Sequence, residues 1–115
     1  MHELSLALSI LDVAEEEAER RRIASVAAIH VQVGAISGVV NKTLRSAFEI
    51  ARADSYFPNV ELVIHEVPCE VFCHHCAVGM ILEPPWKLEC PRCYGSTPHM
   101  IRGRELEIIA LEIDS

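Results

Sequence analysis

The first segment of the chain repeats apolar side chains at the spacing of one face of an α-helix. The positions that follow this spacing are Leu4, Ala7, Leu8, Leu11, Ala14 and Ala18, widened by Leu6, Ile10 and Val13. Glu16 precedes Arg20, and Glu17 precedes Arg21, by one helical turn in the favourable order. The pattern therefore predicts an amphipathic helix over residues 3–22, with its charged end in solvent.

Three later segments have the alternation or the short apolar run of β-strands. Residues 26–33 place Ala27, Ile29, Val31 and Val33 on one face and His30 and Gln32 on the other. Residues 60–67 alternate in the same way, with Val60, Leu62 and Ile64 on one face. Residues 105–113 have a nearly unbroken apolar centre, which predicts a strand that is covered on both faces.

A second helix is predicted between the first two strands. Gly34 and Gly38 bracket a turn, and Asn41 is the predicted N-cap. The predicted buried stripe of this helix is Leu44, Ala47, Phe48 and Ala51.

The order of these elements predicts an α+β fold, with two helices packed on a small mixed β-sheet. Composition changes at Pro68, after which the chain is dense in Cys, Pro, Gly and aromatic residues as far as Arg104. We expect this stretch to be an inserted arm whose two ends return to the sheet. The predicted domains are residues 1–67 plus 105–115, and residues 68–104.

Charge and composition narrow the range of functions. The 115 residues include 17 acidic and 10 basic ones, which gives a formal net charge of −7. Because phosphate backbones are bound by Lys and Arg, this balance argues against nucleic acid as a partner and favours cations or a basic protein surface. The N-terminus lacks the basic region of a signal peptide, and no apolar run approaches a membrane span, so a cytoplasmic protein is expected. No catalytic triad, paired acid–base site or phosphate-binding glycine loop is recognisable, so an enzyme is not expected.

The arm contains two C-x-x-C pairs, Cys73 with Cys76 and Cys90 with Cys93. Each such turn can place two thiolates on one metal ion, and two turns complete a tetrahedral shell at the spacing of a zinc ribbon. Structural zinc contributes roughly 10–16 kcal/mol to folding, which an arm of this length needs because it has little apolar core. The sequence therefore predicts a zinc-ribbon arm.

Other uses of these cysteines remain open from the residues alone. Disulfides are opposed by the cytosolic context, a redox-active C-x-x-C pair is an alternative, and the Cys90-Pro91-Arg92-Cys93 segment resembles a rubredoxin iron knuckle. Cys69 is expected to be a small apolar residue at a strand end, with a role as a spare ligand as the alternative. His74, His75 and His99 are expected to be ordinary exposed histidines, with replacement of a thiolate ligand as the alternative.

The first three residues, Met1, His2 and Glu3, permit two interpretations. They are either an ordinary polar start in which Glu3 favours the helix dipole, or a metal clamp. An amino terminus, an imidazole and backbone amides supply several nitrogens in one plane, which suits Ni(II) or Cu(II). These residues alone leave both interpretations open.

Taken together, the motifs resemble the HypA family of hydrogenase nickel-incorporation proteins over the whole chain. The start Met1-His2-Glu3-Leu4, the two cysteine pairs and the closing Gly103-x-Glu105-Leu106-x-Ile108 segment carry the resemblance. Val33-Gly34 and the Gly95-Ser96 pair after the second knuckle are similar to the same family.

The resemblance implies a nickel metallochaperone that acts during maturation of NiFe-hydrogenase, and in some organisms of urease. It implies Ni(II) at Met1, His2 and Glu3, and structural Zn(II) on the four cysteines Cys73, Cys76, Cys90 and Cys93. The implied partners are the GTPase HypB and the hydrogenase large-subunit precursor, with urease accessory proteins in some organisms. Cys69 and the histidines within the first knuckle depart from the family's pattern.

A zinc-ribbon module that binds protein or nucleic acid is the alternative function. The arm carries four basic residues, Lys87, Arg92, Arg102 and Arg104. Its aromatic platforms are only Phe72, Trp86 and Tyr94, and nucleic-acid affinity would be sensitive to salt. An iron redox protein is a third class, which colour in the purified protein would distinguish.

Overall fold

The computed structural model describes residues 3–95 and 98–114. Within them the elements are α1 Glu3–Arg20, β1 Val26–Gly34, α2 Asn41–Arg52, β2 Glu61–Val67, β3 Glu70–Cys73, β4 Val78–Ile81, β5 His99–Arg102 and β6 Leu106–Ile113. The α+β class is confirmed. Two units are present: the first takes in the described parts of residues 1–32, 38–65 and 107–115, and the second comprises residues 33–37 and 66–106. No helix within residues 3–95 and 98–114 is long and apolar enough to span a bilayer.

The two helices of the first unit pack against each other. Helix α1 buries Ala7, Ile10, Leu11, Ala14 and Ala18, and helix α2 buries Leu44, Ala47 and Phe48. The face predicted for α1 was too wide, because the side chains of Leu4 and Leu8 are 49% and 47% exposed. Three of the five buried positions of α1 are alanines, whereas Leu4 and Leu8 lie outside the buried stripe.

The predicted N-cap of α2 is wrong. Val40 holds the cap position with extended backbone, at φ −91° and ψ 109°, and makes no side-chain capping bond. Asn41 is already the first helical residue. The Val40 amide instead donates to Glu3 Oε2 at 3.2 Å, so a carboxylate from the start of α1 lies at the start of α2.

The first sheet has the strand order β2-β1-β6. The predicted alternation of β1 is confirmed from Ile29 to Val33, since Ile29 and Val31 are buried whereas His30 and Gln32 are partly exposed. It is wrong at the start of the strand, where Ala28 is buried in place of Ala27. The prediction for β6 is half right: the strand exists, but Ile109 is 45% and Ile113 is 56% exposed. An apolar run alone cannot distinguish a central strand from a strand at the end of the order.

The second unit has its own small antiparallel sheet, in the order β4-β3-β5. The hairpin of β3 and β4 pairs Cys73 with Val78. A cluster of buried Cys69, Val71 and Leu82 forms its core, against which Ala35, Ile36, Trp86 and Met100 pack. These strands have only four residues each, which is too short for a periodic signal, and the sequence did not predict them.

Two glycines in the second unit permit a close approach of backbones. A Cβ on Gly34 would lie 2.1 Å from the Gly103 carbonyl oxygen, and Gly103 itself has a φ of +134°. The Ile36 amide donates to the same carbonyl oxygen at 2.9 Å, and the Gly34 amide donates to Glu105 O at 2.7 Å. These bonds join residues 33–37 to the segment that precedes β6.

Candidate metal centre

The first cysteine turn follows directly from strand β3. Cys73 is the last residue of β3, and the chain reverses into β4 at Val78. The Cys76 amide donates to Cys73 Sγ at 3.5 Å, and the Ala77 amide donates to the Cys73 carbonyl oxygen at 2.7 Å. Ala77 has a φ of 55°, so the turn closes through a left-handed residue.

The second cysteine turn repeats the geometry of the first. The Cys93 amide donates to Cys90 Sγ at 3.5 Å, and the Tyr94 amide donates to the Cys90 carbonyl oxygen at 2.8 Å. Tyr94 has a φ of 60°, which matches Ala77 in the first turn. The Arg92 amide adds a further bond to Cys90 Sγ at 3.4 Å. Each turn therefore aims amide hydrogens at its leading sulfur, which favours a thiolate there.

The four sulfurs converge on one point. The Sγ atoms of Cys73, Cys76, Cys90 and Cys93 all lie within 4.8 Å of one another. The separation is 3.6 Å between Cys73 and Cys93, and 3.8 Å between Cys76 and Cys90. A tetrahedral zinc ion with bonds of about 2.3 Å to sulfur requires ligands about 3.8 Å apart. The donor set and its spacing therefore fit a closed four-thiolate site, and all five cysteines are free of disulfides.

Cys90 in the second turn and Cys76 in the first turn differ in how readily their thiols ionise. Backbone hydrogen bonds from Cys93 and Arg92 lower the pKa of Cys90 from 9.0 to about 6, although burial opposes this. Burial and hydrogen bonds to the neighbouring sulfurs raise the pKa of Cys76 to about 12. Four thiolates cannot coexist this close together without a cation, so a metal ion must displace protons when it binds.

Cys69 is separate from this cluster. It is fully buried in the apolar core of the second unit, and burial raises the pKa of its thiol. This placement agrees with the predicted role of a small apolar residue. His74, His75 and His99 are exposed, and the His74 ring meets Phe72 edge-on at a centroid distance of 5.1 Å.

Of the three predicted nickel ligands, Glu3 lies among the residues that the structure describes. Met1 and His2 lie outside the described residues, whereas Glu3 is the first residue of α1. The Glu3 carboxylate accepts the hydrogen bond from the Val40 amide at 3.2 Å. The start of α1 and the start of α2 are therefore neighbours.

Sequence reasoning missed a polar row in the first unit. His30 Nδ1 lies 2.7 Å from His65 Nε2, and His30 Nε2 lies 2.5 Å from Glu112 Oε1. The alternation of β1 places His30 on its outer face. It does not predict which strands lie beside β1, and the row forms because the strand order is β2-β1-β6.

Comparison with known proteins gives a consistent result. A family model described as hydrogenase/urease nickel incorporation, metallochaperone, hypA, matches residues 1–113. Hydrogenase maturation factor HypA from Chloroflexus aurantiacus is 40% identical over 112 residues, which is 97% of this chain and 98% of the relative. The same factor from a Roseiflexus species is 36% identical over 114 residues, 99% of this chain and 93% of the relative.

Two solved structures share the fold. The solution structure of the Ni metallochaperone HypA from Helicobacter pylori is 24% identical to this chain, with a TM-score of 0.67. That match covers 98% of this chain and 97% of the other. Another solution structure of a HypA protein has a TM-score of 0.70 at 24% identity, covering 98% and 96% of the two chains.

Proposed function

Because this chain belongs to the HypA family of nickel-incorporation metallochaperones, we propose that it binds Ni(II) at its N-terminus and delivers it during maturation of NiFe-hydrogenase, or of urease. The observation that carries the proposal is the family match from residue 1 to residue 113, which takes in both the N-terminal motif and the four cysteines. The nickel-binding domain is proposed to be residues 1–67 with 105–115, and the zinc-binding domain residues 68–104.

Nickel is the cargo, and its proposed ligands are Met1, His2 and Glu3. The amino terminus, the His2 imidazole and the backbone nitrogen of Glu3 offer planar nitrogen coordination, which Ni(II) accepts. The bond from Val40 to the Glu3 carboxylate supports this assignment, because it ties the third residue to the body of the unit. Loading weakens as pH falls, since the imidazole and the amine must lose their protons to bind.

Zinc is proposed as the resident structural ion on Cys73, Cys76, Cys90 and Cys93. A bound zinc ion would supply folding free energy to the second unit, whose buried apolar cluster is small. The chain's own amides at Cys76, Arg92 and Cys93 orient the leading sulfurs of the two turns. Four protein ligands leave no open coordination position, so this site is structural and the protein is not proposed to be an enzyme.

The proposed partners are the GTPase HypB and the hydrogenase large-subunit precursor, with urease accessory proteins as further recipients, all in the cytoplasm. A net charge of −7 favours docking to a basic protein surface over binding to nucleic acid. The alternative of a nucleic-acid-binding zinc ribbon is disfavoured for the same reason.

A nickel titration of untagged, zinc-loaded protein tests the proposal. Wild type is expected to bind one Ni(II) at its tightest site at neutral pH, and His2→Ala is expected to lose this tight binding because the imidazole ligand is gone. Calorimetry with elemental analysis measures both metals. His99→Ala is the matched control, since His99 is an exposed histidine of the arm. Unchanged nickel affinity in His2→Ala would refute the N-terminal site.

A further inference from the structure

A row of three polar side chains crosses the sheet of the first unit. His30 lies on β1, His65 on β2 and Glu112 on β6, in the order in which the strands are joined. The two imidazole rings are close to parallel, with centroids 5.0 Å apart and planes inclined by 22°. The N-terminal nickel ligands and the four cysteines proposed above include none of these residues.

Glu112 determines which nitrogen of His30 carries a hydrogen. An ionised carboxylate only accepts, so the 2.5 Å contact requires a proton on His30 Nε2. The Nδ1 atom of a neutral His30 then presents a lone pair to His65 Nε2 across 2.7 Å. A single hydrogen fits between these two nitrogens. Both are imidazole nitrogens, which are common ligands of transition metals.

We propose that His30 and His65 form a second site for a divalent transition metal, in which an ion such as Ni(II) replaces the hydrogen between their facing nitrogens. His65 exchanges its Nε2 proton for one on Nδ1, so the neutral pair gains and loses no proton overall. Glu112 is a positioning residue, since its hydrogen bond keeps the His30 Nδ1 lone pair available. Carboxylate–histidine–metal arrangements of this kind recur in metal sites.

The two ligands differ in mobility. The His30 side chain is only 19% exposed and is bonded on both sides, so it is the fixed ligand. His65 is exposed on β2. Two cis ligands about 2.0–2.1 Å from an ion lie about 2.9 Å apart, with the ion off the line that joins them. The exposed His65 ring must therefore swing outward to direct its Nε2 lone pair at an ion held by the fixed His30. The remaining coordination positions face solvent and are filled by water, which makes exchange of the ion fast.

The surroundings favour a cation. Glu112 also lines a neighbouring open cavity of about 410 Å³ together with Glu61 and Asp114, whereas neither His30 nor His65 lines it. The Asp114 carboxylate accepts a hydrogen bond from Ser25 Oγ at 2.5 Å, which fixes its position. Three carboxylates around one cavity raise the local concentration of divalent ions.

A titration with Ni(II) alone tests the site in the zinc-loaded full chain, with His2→Ala and a blocked amino terminus. This background removes the N-terminal site, so the result does not depend on the proposed function. Paramagnetic Ni(II) is expected to broaden the side-chain NMR signals of His30 and His65 before those of other histidines. His65→Gln is expected to abolish the effect, and Glu112→Gln to weaken binding by about 10- to 100-fold.

Glu107→Gln, an exposed residue of the same strand, is the matched control and is expected to bind like the background protein. Circular dichroism verifies folding, and the exposed His65 can be changed without opening the core. Unbroadened His30 and His65 signals in excess Ni(II) would overturn the site. Equal affinity in Glu112→Gln and Glu107→Gln would overturn the positioning role of Glu112.

Discussion

At the scale of single residues, the fold shifts the pKa values of the Cys76 and Cys90 thiols in opposite directions. Both contribute sulfurs to the same cluster. The leading sulfur of Cys90 accepts hydrogen bonds from two backbone amides, whereas burial and hydrogen bonds to the other sulfurs raise the pKa of Cys76. We therefore expect the metal-free cluster to ionise first at Cys90 and last at Cys76.

This difference predicts how many protons zinc displaces. The loaded site requires four thiolates, and Cys90, with its pKa lowered to about 6, is already ionised at neutral pH. Fewer than four protons are therefore released per zinc ion at neutral pH. One more is released below pH 6, where Cys90 is protonated and zinc affinity falls faster with decreasing pH. Calorimetry of zinc binding in buffers of different ionisation enthalpy counts these protons, and an equal count on both sides of pH 6 would contradict the prediction.

The sequence predicted which cysteines form the site, but not the backbone conformation of the turns or the contacts between side chains of different strands. The spacing of the C-x-x-C pairs is local, so it identified the four cysteines that the structure brings together. The left-handed turn residues Ala77 and Tyr94 were not foreseen, because neither is a glycine. The pairing of His30 with His65 joins residues from different strands, which no local pattern encodes.

At the scale of elements, the crossing of Gly34 and Gly103 is the tightest backbone contact among the glycines described. Gly34→Ala is expected to destabilise the second unit by about 3 kcal/mol, because overpacking against a rigid backbone is costly. The new Cβ would lie 2.1 Å from the Gly103 carbonyl oxygen. Thermal denaturation of the zinc-loaded protein measures the effect.

Gly38→Ala is the control for this change. Gly38 has a φ of +86° and no heavy atom within 4 Å of the added Cβ. Only the cost of a left-handed backbone remains, roughly 1–2 kcal/mol. Equal destabilisation by the two substitutions would show that the close approach does not limit stability.

Long elements were predictable and short ones were not. Helix α1 has 18 residues and β1 has nine, enough for the hydrophobic period to repeat. Strands β3, β4 and β5 have four residues each. Their positions depend on the pairing of β3 with both β4 and β5, which no local pattern encodes. The prediction of Asn41 as the N-cap of α2 was wrong. The Val40 amide is hydrogen-bonded to Glu3, which is distant in the sequence, and local patterns do not encode such a contact.

At the scale of the whole molecule, the two units differ in what holds them together. The first unit has two packed helices and the larger share of the buried residues. The second unit buries a cluster centred on Cys69, Val71 and Leu82. The second unit is therefore the one expected to depend on metal.

Removal of zinc by a chelator is expected to loosen residues 66–106 and to leave the helices of the first unit protected. The lost metal contribution is on the order of 10 kcal/mol, more than a small core can replace. Amide hydrogen exchange measured by mass spectrometry locates the change. Cys90→Ser is expected to mimic the chelator, whereas Cys69→Ala retains zinc because Cys69 lies outside the cluster. Loss of zinc from Cys69→Ala would make that thiol a ligand.

Residues 33–37 belong to the second unit although they precede it by some thirty residues, and this limits how the unit can be isolated. The amide of Ala35 donates to Val67 O at 2.8 Å, and that of Ile36 donates to Gly103 O at 2.9 Å. A synthetic peptide of residues 66–106 would omit both donors and the two side chains that pack on its core. The peptide 66–106 is thus not expected to fold fully in isolation. During synthesis on the ribosome, residues 33–37 lack these partners until residues 66–106, which begin some thirty codons later, have been made.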